Sequence, residues 1–155
     1  MHNAHWNIGL TGGIGCGKSA AGELLEEFGL ARLDTDLVAR DVVRPGSTGL
    51  ASVIREFGPS ILNAEGAMDR AEMGRIVFSD PAARARLEAI LHPLIWSRVR
   101  DFLRTNNAEG KSTVVEVPLL FENNRQEEFD EVWVVTTTPE LQYRRLQARN
   151  GGTEE

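Results

Sequence analysis

The chain has 155 residues, of which 41% are hydrophobic and 26% charged, a composition typical of one globular domain. Its net charge of −6 argues against a protein built to hold a long nucleic acid, but leaves a small phosphorylated ligand open. No apolar run is long enough to span a bilayer, and the first residues lack the pattern of a secretory signal. We therefore expect a cytoplasmic protein without membrane or nucleic-acid partners. The single cysteine of the chain excludes an internal disulfide.

A glycine-rich stretch over residues 12–19 fits the phosphate-binding loop (P-loop) pattern, with two glycines at the required spacing ahead of Lys18 and Ser19. An apolar strand is predicted before it, over residues 7–10, and a helix after it, over residues 19–28. The apolar face of that helix comprises Leu24, Leu25 and Phe28. Because the motif stands between a strand and a helix start, it predicts a nucleotide site rather than an ordinary turn.

Each part of the loop has a chemical task. Glycines accept positive φ, which lets backbone N–H groups face phosphate oxygens, and a helix N-terminus adds unpaired N–H groups and a positive dipole end. Lys18 brings positive charge to the β- and γ-phosphates, and Ser19 offers its hydroxyl to Mg²⁺. The predicted phosphate contacts are Gly12, Gly13, Ile14, Gly15, Cys16, Gly17, Lys18, Ser19 and Ala20. The loop alone does not distinguish a kinase from a GTPase or a motor ATPase.

An acidic pair follows the second predicted strand, which covers residues 30–33. A strand, a helix and a second strand form a βαβ unit, which is parallel, and ligands of such sheets bind beyond the carboxyl ends of the strands. We therefore expect Asp34 and Asp36 beside the phosphates, one parallel neighbour away from the loop. One of the two carboxylates can instead cap the following helix. Arg40 shares a helix face with Asp36, and either pairs with it or helps to hold an anionic acceptor.

Residues 37–105 contain no convincing strand, which predicts a helical insertion between the second and third strands. Within it, Asp69 is a candidate cap for a short helix, and Pro81 opens a long helical region. His92 and Pro93 interrupt that region, so two helices are expected to meet there. The insertion is large enough to form an acceptor-binding subdomain.

Two further strands are predicted over residues 113–117 and 131–136, and Pro139 starts a last helix. Glu116 occupies the strand where many P-loop enzymes place a magnesium-linked carboxylate, but strand alternation leaves open which side it faces. Arg145 and Arg149 share a face of the last helix. They form either a solvated basic stripe or a mobile lid that brings positive charge to a phosphoryl group.

Together these residues resemble the dephospho-CoA kinase family, from about residue 7 to residue 150. The matching segments are residues 8–15, 17–19, 33–36, 39–40, 42–46, 57–58, 77–78, 80–81, 91–93, 117–120 and 142–149. The resemblance implies an α/β, three-layer P-loop NTPase fold with a parallel sheet. It implies one domain over residues 1–155, with residues 37–105 as the acceptor-binding insertion and residues 145–155 as the start of the lid.

The resemblance also implies ATP-dependent phosphorylation of the ribose 3′-hydroxyl of dephospho-CoA with Mg²⁺, by a monomer with at most weak self-association. Catalytic roles fall to Asp36, Lys18 and Arg145, lid roles to Arg145 and Arg149, and the metal contact to Ser19. The acceptor would contact Asp36, Arg40, His92, Pro118 and Leu119.

Two departures from the family and two alternatives remain at this point. Cys16 stands where a hydroxyl residue is commoner, and the family continues beyond the last residue of this chain. Either the chain is a fragment or a truncated gene product, or it works poorly alone, and we expect it to bind ATP more weakly than a full-length relative and to tend to aggregate. One alternative is another small-molecule kinase of the same fold, of the shikimate or nucleoside-monophosphate type. The other is a catalytically impaired nucleotide-binding module. A GTPase is disfavoured because no guanine-reading Asn-Lys-x-Asp stretch is present.

Overall fold

A computed structural model of the protein describes residues 5–149. In chain order its strands and helices are β1 (Asn7–Gly12), α1 (Lys18–Glu27), β2 (Ala31–Asp34), α2 (Thr35–Asp41), α3 (Thr48–Phe57), α4 (Arg70–Ser79), α5 (Pro81–Ala108), β3 (Thr113–Glu116), β4 (Glu131–Val135) and α6 (Pro139–Arg149). Single 3₁₀ turns cover Pro59–Ile61 and Gln126–Glu128.

The four strands form one parallel sheet in the order β2-β3-β1-β4, which confirms the α/β class. The expectation that β2 lies one parallel neighbour away from β1 is wrong, because β3 lies between them. The physical reason is burial: all four residues of β3 are buried, whereas those of β2 are half-buried. A strand whose residues are buried on both faces belongs in the middle of a sheet, and β2 takes an edge.

The described chain divides into two compact units. One consists of residues 36–100 and the other of the residues on either side, which carry the sheet. Within the described part of the helical unit the only strand-like pairing is an isolated bridge between Leu62 and Met68. Its helices are capped as polar residues before apolar runs predict: the Ser47 hydroxyl accepts from the Leu50 N–H at 3.1 Å, and the Asp69 carboxylate caps α4.

Helix α5 runs for 28 residues without interruption, so the predicted break at His92-Pro93 is wrong. Proline in a helix interior costs about 3 kcal/mol because it removes one donor and crowds the preceding turn. Burying one large apolar side chain stabilises by about 1.5–3 kcal/mol. Trp96 and Val99, just beyond Pro93, are both buried. Packing of the residues around Pro93 therefore outweighs the local cost.

Helix α1 ends where Gly29 predicts, since Gly29 adopts a φ of 98° and the N–H groups of Gly29 and Leu30 bond back to the last turn. The apolar face suggested by Leu24 and Phe28 does not pack as expected, because their side chains are 55% and 82% exposed. Instead α1 lies against β2 and β3 through a buried residue without a side chain, Gly22. Close approach to polar side chains of the sheet, rather than an apolar stripe, determines this packing.

Replacing Gly22 by alanine is expected to destabilise the protein by about 1–3 kcal/mol, although alanine is the better helix former. A Cβ at this position would collide with the Glu116 carboxylate and lie 2.9 Å from Nε of Arg32. The matched control is Gly74→Ala in α4, where a Cβ meets nothing within 4 Å. That variant is expected to gain about 0.5–1 kcal/mol. Urea denaturation of both variants measures the difference, and a stabilised Gly22→Ala would contradict this packing.

Candidate nucleotide-binding site

The loop between β1 and α1 has the backbone geometry that phosphate binding requires. Gly15 and Gly17 adopt φ of 75° and 92°, in the left-handed region that favours glycine. The Cys16 N–H donates to the Gly13 carbonyl at 3.2 Å, which tightens the loop into a turn. Within the described chain, Gly17 begins α1 without a side-chain cap, so N–H groups of the first helical turn remain available for an anion.

Lys18 and Ser19 open α1, and the structure places both at the start of the helix as predicted. Lys18 is half-buried and Ser19 exposed. Cys16 is a free, half-buried thiol within the loop, consistent with a small side chain in a tight position. The loop therefore brings together a backbone anion site, an ammonium group and a hydroxyl.

Helix α6 contacts the loop from outside. The Gln142 amide donates to the Ile14 carbonyl at 2.7 Å, and Nη1 of Arg145 donates to the Gly15 carbonyl at 3.3 Å. Arg145 and Arg149 are exposed on this helix. The predicted lid arginine thus contacts the loop backbone directly, while a further role toward a phosphoryl group stays a prediction. Residues 150–155, the rest of the predicted lid segment, lie outside the described residues.

Glu116 faces α1 from the carboxyl end of β3, which answers the question that strand alternation left open. Its side chain is 1% exposed, and Nη2 of Arg32 donates to its two carboxylate oxygens at 3.2 and 3.3 Å. Burial raises the pKa of Glu116; the charge of Arg32 opposes this shift, Asp34 adds to it and Lys18 opposes it. The loop lysine and the carboxylate that ends β2 are thus within electrostatic reach of Glu116.

The difference in unfolding free energy between the wild type and Glu116→Gln is expected to fall as pH rises from below the ordinary glutamate pKa to above the raised pKa of Glu116 in the folded chain. The pKa of Glu116 in the folded chain lies above its ordinary value of 4.5, so the folded state holds this proton more tightly. The contribution of protonated Glu116 to the unfolding free energy is fully present below the pKa that this group has in the unfolded chain. It is lost as pH rises through the pKa that the group has in the folded chain. Glu109→Gln removes an exposed carboxylate and corrects for net charge. A difference that rises over this range would contradict the direction of the shift.

Asp36 is exposed in the first turn of α2, and Asp34 is the last residue of β2. Two residues two apart in an extended strand would share one face, but α2 begins at Thr35 and separates them into strand and helix. Asp36, Arg40 and His92 belong to the helical unit; the first two are exposed, and His92 is half-buried on α5. Their predicted roles toward an acceptor stay predictions.

Thr35 is a residue of this region that the sequence analysis missed. Its hydroxyl is buried and donates to the Glu116 carbonyl at 2.8 Å, so the residue before Asp36 is bonded to the end of β3. A hydroxyl residue between two carboxylates at a strand end was the available signal. Gln142 was also missed, because its partner Ile14 is 128 positions away in the chain.

Pro118 and Leu119 follow the carboxyl end of β3, and the backbone ladder continues beyond that strand because the Val117 N–H donates to the Leu10 carbonyl at 2.9 Å. Leu119 has a φ of 54° and a side chain that is 54% exposed. The left-handed conformation costs a non-glycine residue about 1–2 kcal/mol. Such outliers are enriched at functional sites, and the predicted ligand contact of Leu119 stays a prediction.

Among residues 5–149 no group of three or more His, Cys, Asp or Glu side chains is arranged to hold a metal ion. This does not conflict with Mg²⁺, which usually takes one or two protein oxygens and completes its shell with phosphates and water. The exposed Ser19 hydroxyl at the start of α1 fits that pattern. In the same residues, no helix combines the length and the apolar character needed to cross a membrane.

Comparison with known proteins identifies relatives over almost the whole chain. The dephospho-CoA kinase of Bdellovibrio bacteriovorus is 46% identical over 149 residues, which cover 96% of this chain and 74% of the relative. The dephospho-CoA kinase of Frankia casuarinae is 48% identical over 144 residues, 93% of this chain but 62% of the relative. The chain thus spans 62% to 74% of the length of these two relatives.

Solved structures agree with this similarity. A crystal structure of a Thermus thermophilus protein matches with a TM-score of 0.81 and 31% identity, covering 95% of this chain and 73% of that one. The dephospho-CoA kinase of Campylobacter jejuni matches with a TM-score of 0.70 and 29% identity, covering 93% and 72%. These neighbours and the glycine loop support the P-loop NTPase fold. The family model for dephospho-CoA kinase matches residues 6–155, and the chain belongs to this family.

Proposed function

We propose that this protein transfers the γ-phosphoryl group of ATP to the ribose 3′-hydroxyl of dephospho-CoA, giving coenzyme A. The observation that carries the proposal is the loop geometry: left-handed Gly15 and Gly17 open an uncapped helix that begins with Lys18, in a chain of the dephospho-CoA kinase family. A backbone anion site beside an ammonium group is the arrangement that phosphoryl transfer needs for positioning and charge stabilisation.

The residues divide into two sets of tasks. Loop N–H groups and Lys18 bind the phosphates, with Ser19 as the residue that would hold Mg²⁺. When bound, Mg²⁺ neutralises charge on the phosphate oxygens. Asp36 accepts a proton or a hydrogen bond from the attacking hydroxyl, and Arg145 and Arg149 supply positive charge over the transferring group.

The insertion over residues 37–105 and the segment after β3 are each proposed to contact the acceptor. Arg40 offers a cation to an anionic acceptor, and His92 offers a half-buried polar ring. Pro118 and Leu119, which follow the end of β3, offer apolar contacts. The predicted lid over residues 145–155, the cytoplasmic location and the monomeric state are parts of the same proposal.

The test is a coupled assay of ADP release by the 155-residue chain, with dephospho-CoA, shikimate, a nucleoside monophosphate or no acceptor. Turnover that depends on dephospho-CoA, with a product phosphorylated at the ribose 3′ position, is the expected result. Comparable turnover with another acceptor would favour a different kinase of this fold. Binding of ATP with no transfer to any acceptor would favour an impaired nucleotide-binding module.

A further inference from the structure

Helix α6 approaches the phosphate-binding loop so closely that three glycines of the loop border it. A Cβ at Gly13 would lie 3.3 Å from Nε2 of Gln142, and one at Gly15 would lie 3.3 Å from the Gln142 carbonyl oxygen. A Cβ at Gly17 would lie 3.2 Å from Nη1 of Arg145. These distances are tighter than ordinary van der Waals contacts. The absence of side chains on one side of the loop therefore serves the approach of α6.

The contact determines which way one peptide of the loop points. The Ile14 carbonyl accepts the Gln142 amide at 2.7 Å, so this carbonyl is directed toward α6. In a planar trans peptide the carbonyl of one residue and the N–H of the next point in opposite directions. The Gly15 N–H is therefore directed away from α6, and a loop N–H that is directed outward can donate to an anion. A flipped peptide would present a carbonyl oxygen to a phosphate and repel it.

Gln142 is chemically suited to this task. Its amide donates without adding charge, it is half-buried, and its own backbone N–H is held by the Thr138 carbonyl at 2.9 Å. Arg145, one helical turn further, donates to the next carbonyl, that of Gly15. Two side chains of one helix thus hold two successive loop carbonyls. The guanidinium can also contact a phosphate, whereas the Gln142 amide already points at the loop backbone.

We propose that Gln142 is a positioning residue that orients the Ile14–Gly15 peptide, so that phosphate affinity depends on α6 even where α6 does not touch the ligand. The consequence for catalysis rests on the proposed kinase function. The consequence for anion binding does not, because inorganic tripolyphosphate probes the loop without an acceptor and without a reaction.

The experiment compares Gln142→Ala and the isosteric Gln142→Glu with Gln147→Ala. Gln147 lies on the same helix, but its amide donates to the Tyr143 hydroxyl at 3.0 Å and not to the loop. Tripolyphosphate and ATP dissociation constants are measured by calorimetry, and melting temperatures are recorded in parallel.

Loss of one hydrogen bond is expected to weaken the binding of both ligands about 3- to 10-fold in Gln142→Ala. Gln142→Glu should lose more, because its carboxylate faces a carbonyl and adds negative charge near phosphates. Gln147→Ala should match the wild type.

Kinetics add a second readout. The KM for ATP is expected to rise in the Gln142 variants while the KM for dephospho-CoA stays unchanged, a split that a general loss of stability would not produce. Unchanged tripolyphosphate affinity in both Gln142 variants would overturn the inference, whatever their melting temperatures, as would a wild-type chain that binds no tripolyphosphate. A wild-type chain that binds tripolyphosphate but phosphorylates no dephospho-CoA would overturn the proposed function only. The ratio of the tripolyphosphate affinities of the wild type and the Gln142 variants would still test the inference.

Discussion

Asp36→Asn is expected to lower kcat by about 10²–10⁴-fold, the range that general acid–base assistance contributes. Asparagine keeps the shape of the side chain but removes the charge and the basic oxygen that would accept a proton from the acceptor hydroxyl. The carboxylate is exposed in the first turn of α2, directly after Thr35, whose buried hydroxyl is bonded to the end of β3. Its backbone is therefore held at a defined point, as a positioned base requires.

The ATP dissociation constant should change little in this variant, because the phosphate contacts are assigned to the loop. Asp34→Asn should cost less turnover, since Asp34 ends β2 in the charged group around Glu116. Asp41→Asn, on the same helix as Asp36, is the control, because Asp41 pairs with Arg44 and Arg98. Single-turnover and steady-state kinetics at saturating substrates measure these effects. Near-normal turnover in Asp36→Asn with loss in Asp34→Asn would reverse the two roles.

Lys18→Ala is expected to lower kcat by at least about 10²-fold while the fold is retained, because it removes a charge-assisted contact to the transferring phosphoryl group. The ammonium group opens α1 beside the loop, so its loss affects the developing charge more than the protein interior. Lys18→Arg should recover only part of the activity, since a planar guanidinium does not reproduce a compact point charge.

Lys111 provides the matched control for Lys18. The chain has two lysines, and the second, Lys111, is exposed and pairs with Glu109 at 2.7 Å. Lys111→Ala should keep wild-type turnover. Circular dichroism and melting temperature establish that each variant is folded before its activity is compared. Unchanged turnover in Lys18→Ala would contradict the assignment of the loop.

Local patterns predicted the parts of the site that are contiguous in the chain. The glycine spacing, the strand before it and the helix after it are all reproduced, because loop geometry and helix starts depend on residues a few positions apart. The polar caps of α3 and α4 follow from the same kind of signal. The acidic residues after β2 were recognised because ligands of parallel sheets bind at the carboxyl ends of strands.

The features that the sequence did not predict depend on packing and on contacts between elements. The position of β3 between β2 and β1 depends on burial from both faces, which hydrophobic content alone does not assign to a place in the sheet. The continuity of α5 through Pro93 depends on packing around Trp96 and Val99. Gln142 gave no signal of its own, because the carbonyl that it holds is defined only once α6 has folded against the loop.

The missing side chain of Gly22 has a consequence for the position of α1 along its own axis. Sliding α1 along its axis by one turn would move it by about 5.4 Å and bring a residue with a side chain over Glu116. The Glu116 carboxylate and the Arg32 guanidinium occupy the space that a Cβ at residue 22 would take, so a residue with a side chain is disfavoured there and a shift of α1 by one turn is opposed. Lys18 lies one turn before Gly22 on the same face of α1. The close packing at Gly22 therefore also determines the backbone position from which the Lys18 side chain extends.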